Sequence, residues 1–394
     1  MKSEVLFMKD YKQDLFMYEG ESELLSLSSS YPIRDLIDLQ ERTANNYTYG
    51  RLGNPTRDLL AQRISELEHA KRTLISSSGM AAISTTLLAL LKQGDVILAN
   101  RSLYGETMEL CEHILIKYGI QIVYEDFQSA DKLRRVMAKQ PVKLLYTEGI
   151  SNPITEVADL SMLAKLAHEA NALLVVDHTF STPYLAKPLE LGADLVLHSL
   201  TKFMNGHSDV TLGSISGSAA LIKDIYQHQI LFGSIGDPFS CWLCLRGLKT
   251  MMLRVERQNE NAEKLAEYLS HHPKVSEVFH PSLPRHPQHE LAKRQYRAFG
   301  AMMSFRILDD RSQVNAFLKS LKTVAYVPSL GGVHTTLSHP VSSSHAGVEK
   351  SVREAMGITE GLLRISVGIE PIDVLIADFD QALAALEEPH GESK

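Results

Sequence analysis

Cysteine is scarce in this sequence, with 3 in 394 residues, and there is a single tryptophan. So few cysteines exclude a disulfide framework, and the fold must rest on a packed core. No apolar run is long enough to span a bilayer. Positive charge is not in excess either. A formal net charge of −7 excludes a basic nucleic-acid footprint and a cationic stripe for a membrane surface. Repeats and low-complexity tracts are missing. Residues 1–20 mix acids with lysines and lack an apolar signal core, from which a cytoplasmic location is expected.

Metal-ligand spacing is missing too. The 16 histidines show no ligand pattern, and His280, His286 and His289 fall in a proline-rich connection. Cys241-Trp242-Leu243-Cys244 is a C-x-x-C in an apolar, helix-like stretch with no second pair beside it. These two read as buried helix cysteines, and no metal is expected.

What the chain does have is core-forming material, 44% hydrophobic residues, enough for one large and one smaller domain. Residues 1–50 read as an irregular, polar arm that wraps a partner subunit, 51–245 as the large domain and 246–394 as the small one. Helical periodicity over 58–70, 81–91, 106–118, 132–138 and 160–170 alternates with strand-like runs at 72–78, 95–99, 121–124, 142–147 and 173–177. That alternation predicts an α/β fold, a mostly parallel sheet with helices on both faces. Asn54-Pro55 supplies a polar cap and a first-turn proline for the first helix. A long helical connection, 242–269, leads to a smaller α+β unit with strands at 302–307 and 363–367.

Three segments carry chemistry. Residues 193–202 form an apolar strand that delivers Lys202 just past Ser199 and Thr201. A lysine there either reaches water or is held neutral, and a neutral amine condenses with aldehydes. Residues 174–180 end a second apolar strand in Asp177. A carboxylate so placed caps the next helix or holds a pyridine nitrogen protonated. Ser76-Ser77-Ser78-Gly79-Met80 turns a strand into a helix whose free amides favour an anion such as phosphate, with Ser199 and Thr201 as added donors.

Together these residues resemble the pyridoxal phosphate (PLP) enzymes of cysteine and methionine metabolism, which include cystathionine γ-lyase, β-lyase and γ-synthase and methionine γ-lyase. The resemblance runs from about Asn46 to Leu386. Its strongest motif is 192–210, ending Lys202-Phe203-Met204-Asn205-Gly206-His207-Ser208-Asp209-Val210, and further matches lie at 49–56, 103–105, 148–153, 246–250, 329–332 and 361–368.

The resemblance implies an aspartate-aminotransferase-like fold (fold type I) and PLP as cofactor. It assigns Lys202 as the attachment point and proton shuttle, Asp177 to the ring nitrogen, and Tyr104 to stacking and proton transfer, its phenol activated by a nearby cation. Gly79, Met80, Ser199 and Thr201 would cradle the phosphate. Tyr49 and Arg51 would reach that phosphate from a neighbouring subunit, in a homotetramer of dimers that share active sites. Arg364 would seat the substrate carboxylate, helped by Asn152 and Ser329, the alternative for Arg364 being a structural salt bridge.

This chain also departs from its relatives. Glu106 stands where methionine γ-lyases carry a cysteine and many cystathionine enzymes a glycine. His334 replaces a usual glutamate, His178 a usual asparagine, and Thr48 a glutamate of animal γ-lyases. Glu106 either reads a cationic distal group on the substrate, an ammonium or guanidinium, or merely favours a helix start. The expected reaction is α,γ-elimination of a γ-substituted amino acid, such as cystathionine, methionine or homocysteine, to 2-oxobutanoate and ammonia. The alternative is γ-replacement on O-acylhomoserine. Cystathionine β-elimination or a guanidinooxy substrate stand behind these, and Lys202, Asp177, Tyr104 and Arg364 oppose a catalytically silent scaffold.

Overall fold

Asn54 opens the first long helix, Pro55–Glu68, by accepting the N–H groups of Thr56 and Arg57 at 3.0 and 3.2 Å, with Pro55 at the first position. The computed structural model describes residues 22–386. Seven strands follow: β1 (Arg72–Ser76), β2 (Val96–Asn100), β3 (Gln121–Glu125), β4 (Val142–Glu148), β5 (Leu173–Asp177), β6 (Leu195–Ser199) and β7 (Gly213–Gly217). They hydrogen-bond in the order β1-β7-β6-β5-β4-β2-β3. All pairings are parallel except those of β7, which runs antiparallel to both β1 and β6. β7 was not foreseen, because its small residues, Gly-Ser-Ile-Ser-Gly, carry no periodic hydrophobic signal.

Helices cover both faces of this sheet, which is why its strands read as continuous apolar runs. On one face Ile97, Val175, Leu197 and Ile215 pack beneath the helix Gly79–Leu90. On the other Leu98, Leu145, Val176 and Val196 meet the helix Leu160–Glu169. The second sheet comprises β8 (Glu277–Phe279), β9 (Met302–Arg306), β10 (Ala325–Tyr326), β11 (Thr336–Ser338) and β12 (Leu362–Ser366), in the order β10-β11-β12-β9-β8. Its own core centres on Phe305, Phe317 and Phe379.

Three expectations need correction. Residues 22–50 are not wholly irregular or polar: Asp35 caps a helix, Leu36–Ala44, and Leu36 and Ile37 of that helix lie open to solvent. Residues 1–20, from which the location was expected, lie outside the described residues. Residues 106–118 do not form one helix but a helical turn, Gly105–Glu109, then a π turn, Leu110–Ile114, and a 3₁₀ turn, Leu115–Tyr118. The connection at 242–269 is two helices, Pro238–Leu248 and Met251–Ser270. The buried Arg254 guanidinium accounts for that break, since it draws the Gly247 carbonyl to 2.9 Å along with those of Phe203 and Met204. Cys241 and Cys244 are free and buried in the first of these helices, as expected.

Candidate active site

Parallel strands bring their carboxyl ends to one edge of the sheet, and ligands of such folds bind there. A cavity of about 430 Å³ opens at that edge, between the ends of β4, β5 and β6 and the second sheet. Gly79, Met80, Asp177, Ser199, Thr201 and Lys202 line its sheet side. Tyr104, Glu106, Asn152, Ser329 and Arg364 complete the wall. Tyr49 and Arg51 do not line it. Tyr49 is half exposed, and Arg51 donates to the Ile230 carbonyl at 2.6 Å.

The anion seat follows from local rules. Ser78 ends the turn after β1 in extended backbone and caps the next helix by accepting the Ala81 N–H at 3.0 Å. The amides of Gly79 and Met80, at the same helix start, are left for a ligand. A Cβ on Gly79 would stand 2.8 Å from the Ser199 Cβ, so only glycine leaves the seat open. The Thr201 hydroxyl is tied to Leu212, donating to its carbonyl at 3.2 Å.

Lys202 Nζ donates to Ser329 Oγ at 3.2 Å. Burial and the Arg364 charge push the Lys202 ammonium below its ordinary value, so the neutral amine is easier to reach. Arg364 lies on β12, buried, and its Nη1 donates to Asn152 Oδ1 at 2.9 Å. Burial lowers its pKa to about 10. No ion pair engages Arg364 among the described residues. A buried guanidinium with donors to spare, facing a cavity, is a seat for a carboxylate.

Asp177 accepts the Thr179 N–H at 3.0 Å, and burial pushes its carboxyl up. Tyr104 departs from expectation. Burial and the Glu106 carboxylate beside it push the phenol up, more than the Arg364 charge opposes them. Glu106 itself stands at the mouth, exposed, and so meets solvent and cavity at once. His334 does not line the cavity. It is open to water and pairs loosely with Glu370 at 3.8 Å.

Glu148, at the end of β4, lines the cavity with no role foreseen for it. Its signal was available, because it ends an apolar strand just as Asp177 does. Burial first and Asp177 second raise its carboxyl to about 8. Thr179, Thr211, Ser343 and Ser344 were also missed; they reach the wall from loops that no periodicity marks. Behind Lys202 runs Gly331, with φ of 78° and no room for a side chain: a Cβ would sit 2.5 Å from the Phe203 nitrogen.

The cavity fits PLP on its own features: an anion seat at a helix start, a buried lysine for an aldehyde and a carboxylate at the closed end. The chain matches the family described as Cys/Met metabolism PLP-dependent enzyme over residues 6–384. It is 42% identical to an L-methionine γ-lyase of Fusobacterium nucleatum subsp. polymorphum over 340 residues, 86% of each chain. A cystathionine β-lyase of Bacillus subtilis is likewise 42% identical over 342 residues, again 86% of each. Among solved structures, a cystathionine γ-synthase of Xanthomonas oryzae pv. oryzae superposes with a TM-score of 0.89 at 38% identity, covering 92% of this chain and 93% of that one. The mostly parallel central sheet with helices on both faces is the α/β fold type I of PLP-dependent enzymes. The chain therefore belongs to the Cys/Met metabolism family of PLP-dependent enzymes.

Proposed function

We propose that this protein is a PLP-dependent lyase that eliminates the γ-substituent of an amino acid, releasing 2-oxobutanoate, ammonia and the leaving group. One observation carries the reading: Arg364, buried and without an ionic partner among the described residues, faces the same cavity as Lys202. An α-amino acid whose carboxylate meets Arg364 presents its carbons to the Lys202 amine. Bound PLP supplies an electron sink for negative charge at the substrate α-carbon.

The rest of the chemistry belongs to the chain. The Gly79 and Met80 amides, with the Ser199 hydroxyl, hold the phosphate, and the Thr201 hydroxyl can join them only by giving up its bond to the Leu212 carbonyl. Asp177 holds a proton on the ring nitrogen. Asn152 orients Arg364, and Ser329 orients Lys202. Lys202 Nζ then carries protons among the α, β and γ positions, and Tyr104 stacks on the ring. Tyr49 and Arg51 act in a neighbouring subunit's site, in a tetramer of dimers. Glu106 at the mouth selects substrates with a cationic distal group, which favours cystathionine over methionine.

γ-Replacement on O-acylhomoserine is the second reading. It is favoured by the likeness to the γ-synthase fold and by Asn54-Pro55-Thr56-Arg57-Asp58. The test is a 2-oxo acid assay of the PLP-loaded enzyme with cystathionine, methionine, homocysteine, a guanidinooxy analogue and O-acylhomoserine, with and without cysteine. 2-Oxobutanoate formed without thiol supports the lyase. Pyruvate moves the reading to β-elimination, and turnover of O-acylhomoserine only with cysteine moves it to the synthase.

A further inference from the structure

Behind the cavity, on the other face of the sheet, lies a polar cluster that the proposed chemistry does not use. His198 Nε2 and Glu68 Oε1 are 2.5 Å apart, and both side chains are fully buried. Their remaining atoms, His198 Nδ1 and Glu68 Oε2, have no hydrogen-bond partner among the described residues. His178 packs edge-on to His198 at 6.0 Å and stacks on Tyr296 at 5.8 Å. Replacing such a buried pair with apolar residues is often neutral or stabilising, so fold stability alone does not explain it.

Position explains it better. Glu68 is the last residue of the helix Pro55–Glu68, and His198 stands between Leu197 and the cradle residue Ser199 on β6. Leu197 is the register partner of Asp177. Along each strand successive side chains alternate between faces, so Asp177 shares the side of Val175 and Leu197 while His198 points the other way. The imidazole bonds to Glu68 and the Asp177 carboxylate to the Thr179 N–H, so a proton held on His198 would favour the ionised Asp177 through charge alone. In a dry interior that reach is long. Asp177 lies between two strands: Glu148 on β4 is its register partner and Tyr146 shares its side, His198 on β6 is next along the chain from its register partner Leu197 with the side chain on the opposite face, and the Thr179 N–H stabilises its ionised form. Of these neighbours His198 is the one that can carry positive charge, and Glu68 is placed to hold that charge on it.

We propose that Glu68 and His198 are positioning residues that keep a proton on the imidazole behind Asp177 and so hold Asp177 ionised for the ring nitrogen of PLP. The proposal rests on the reading that Asp177 meets that nitrogen.

The experiment compares cofactor affinity of the full-length enzyme for PLP and for an analogue whose ring nitrogen is replaced by carbon. Glu68→Gln keeps the shape of the pair and removes the counter-charge. It should weaken PLP roughly tenfold and leave the analogue unchanged. An equal loss for both ligands, or no loss, overturns the proposal, because a purely structural role cannot sense the ring nitrogen. His198→Gln should repeat the differential, and it stands in should Glu68→Gln fail to fold. Asp177→Asn is the control for the underlying reading: if it too weakens both ligands equally, the Asp177 assignment fails rather than the relay. A measurement on the unmutated holoenzyme needs no variant. Nitrogen NMR of labelled histidine should find both His198 ring nitrogens protonated at pH 7.5, and a neutral ring there overturns the proposal.

Discussion

Glu148 and Asp177 are register partners across β4 and β5, and Glu148 accepts the N–H groups of Tyr104 and Asn152 at 2.5 and 3.1 Å. One carboxylate thus anchors the backbone of a ring-stacking candidate and of the residue that orients Arg364. It does so beside a second acid in a buried site, which has a consequence for stability. An ordinary glutamate value is 4.5, and the folded protein raises it to about 8. The folded state therefore binds a proton that the unfolded chain has released, and stability falls as pH rises through that window. The contribution is on the order of a few kcal/mol, at about 1.4 kcal/mol per pKa unit. Calorimetry of the cofactor-free protein between pH 5 and 8 should show a falling Tm, and Glu148→Gln should flatten it. A wild-type Tm that climbs with pH over this range would count against the assignment.

Arg364→Ala removes the buried guanidinium and leaves Asn152 Oδ1 without its donor. Loss of one partner from a buried, charge-assisted contact costs about 2 to 5 kcal/mol, so kcat/KM for amino acids should drop roughly 30- to 5000-fold. PLP retention, measured by absorbance after gel filtration, should stay near wild type. A variant that binds substrate normally but loses the cofactor would reverse the roles.

Lys202→Ala should abolish turnover and covalent cofactor attachment together. Borohydride treatment followed by mass spectrometry should fix PLP to the wild-type chain and not to the variant. Attachment at another lysine would move the site.

Glu106→Gln bears on substrate choice. Because Glu106 stands at the mouth rather than at the closed end, its loss should raise KM for cystathionine about tenfold and leave methionine nearly unaffected. Equal changes for both substrates would reduce Glu106 to an acid that favours a helix start.

Arg51→Ala is the test of the shared site. Arg51 does not reach the cavity of its own chain. If it serves a neighbour's phosphate, the variant should lose PLP faster on dilution, and unchanged retention argues against sharing.

Much of the site could be read from the sequence because its chemistry sits where local patterns end. Lys202 and Asp177 each follow an apolar strand, and Gly79 follows a serine cap, so short-range rules point to them. Arg364 stood out because an apolar run seldom tolerates a cation. The misses were long-range. The antiparallel setting of β7 depends on partners far along the chain, β1 among them. The break near Thr250 depends on Arg254 collecting carbonyls from the Lys202 loop. Glu68 and His198 are 130 residues apart. No window along the chain joins them.

Gly331 bears on how this enzyme can be redesigned. Its backbone is left-handed, at φ of 78°, and a Cβ there would stand 2.5 Å from the Phe203 nitrogen and 2.8 Å from the Lys202 carbonyl carbon, so the loop from the second sheet runs close against the segment that bears the lysine. Loop exchange with relatives, a natural route to new substrates, must therefore carry this glycine across unchanged, together with Ser329 and its bond to the Lys202 amine. The same contact acts as a mechanical stop. A graft that lifts the loop by the width of one methyl group also shifts the reactive amine, and selectivity and rate would then change together.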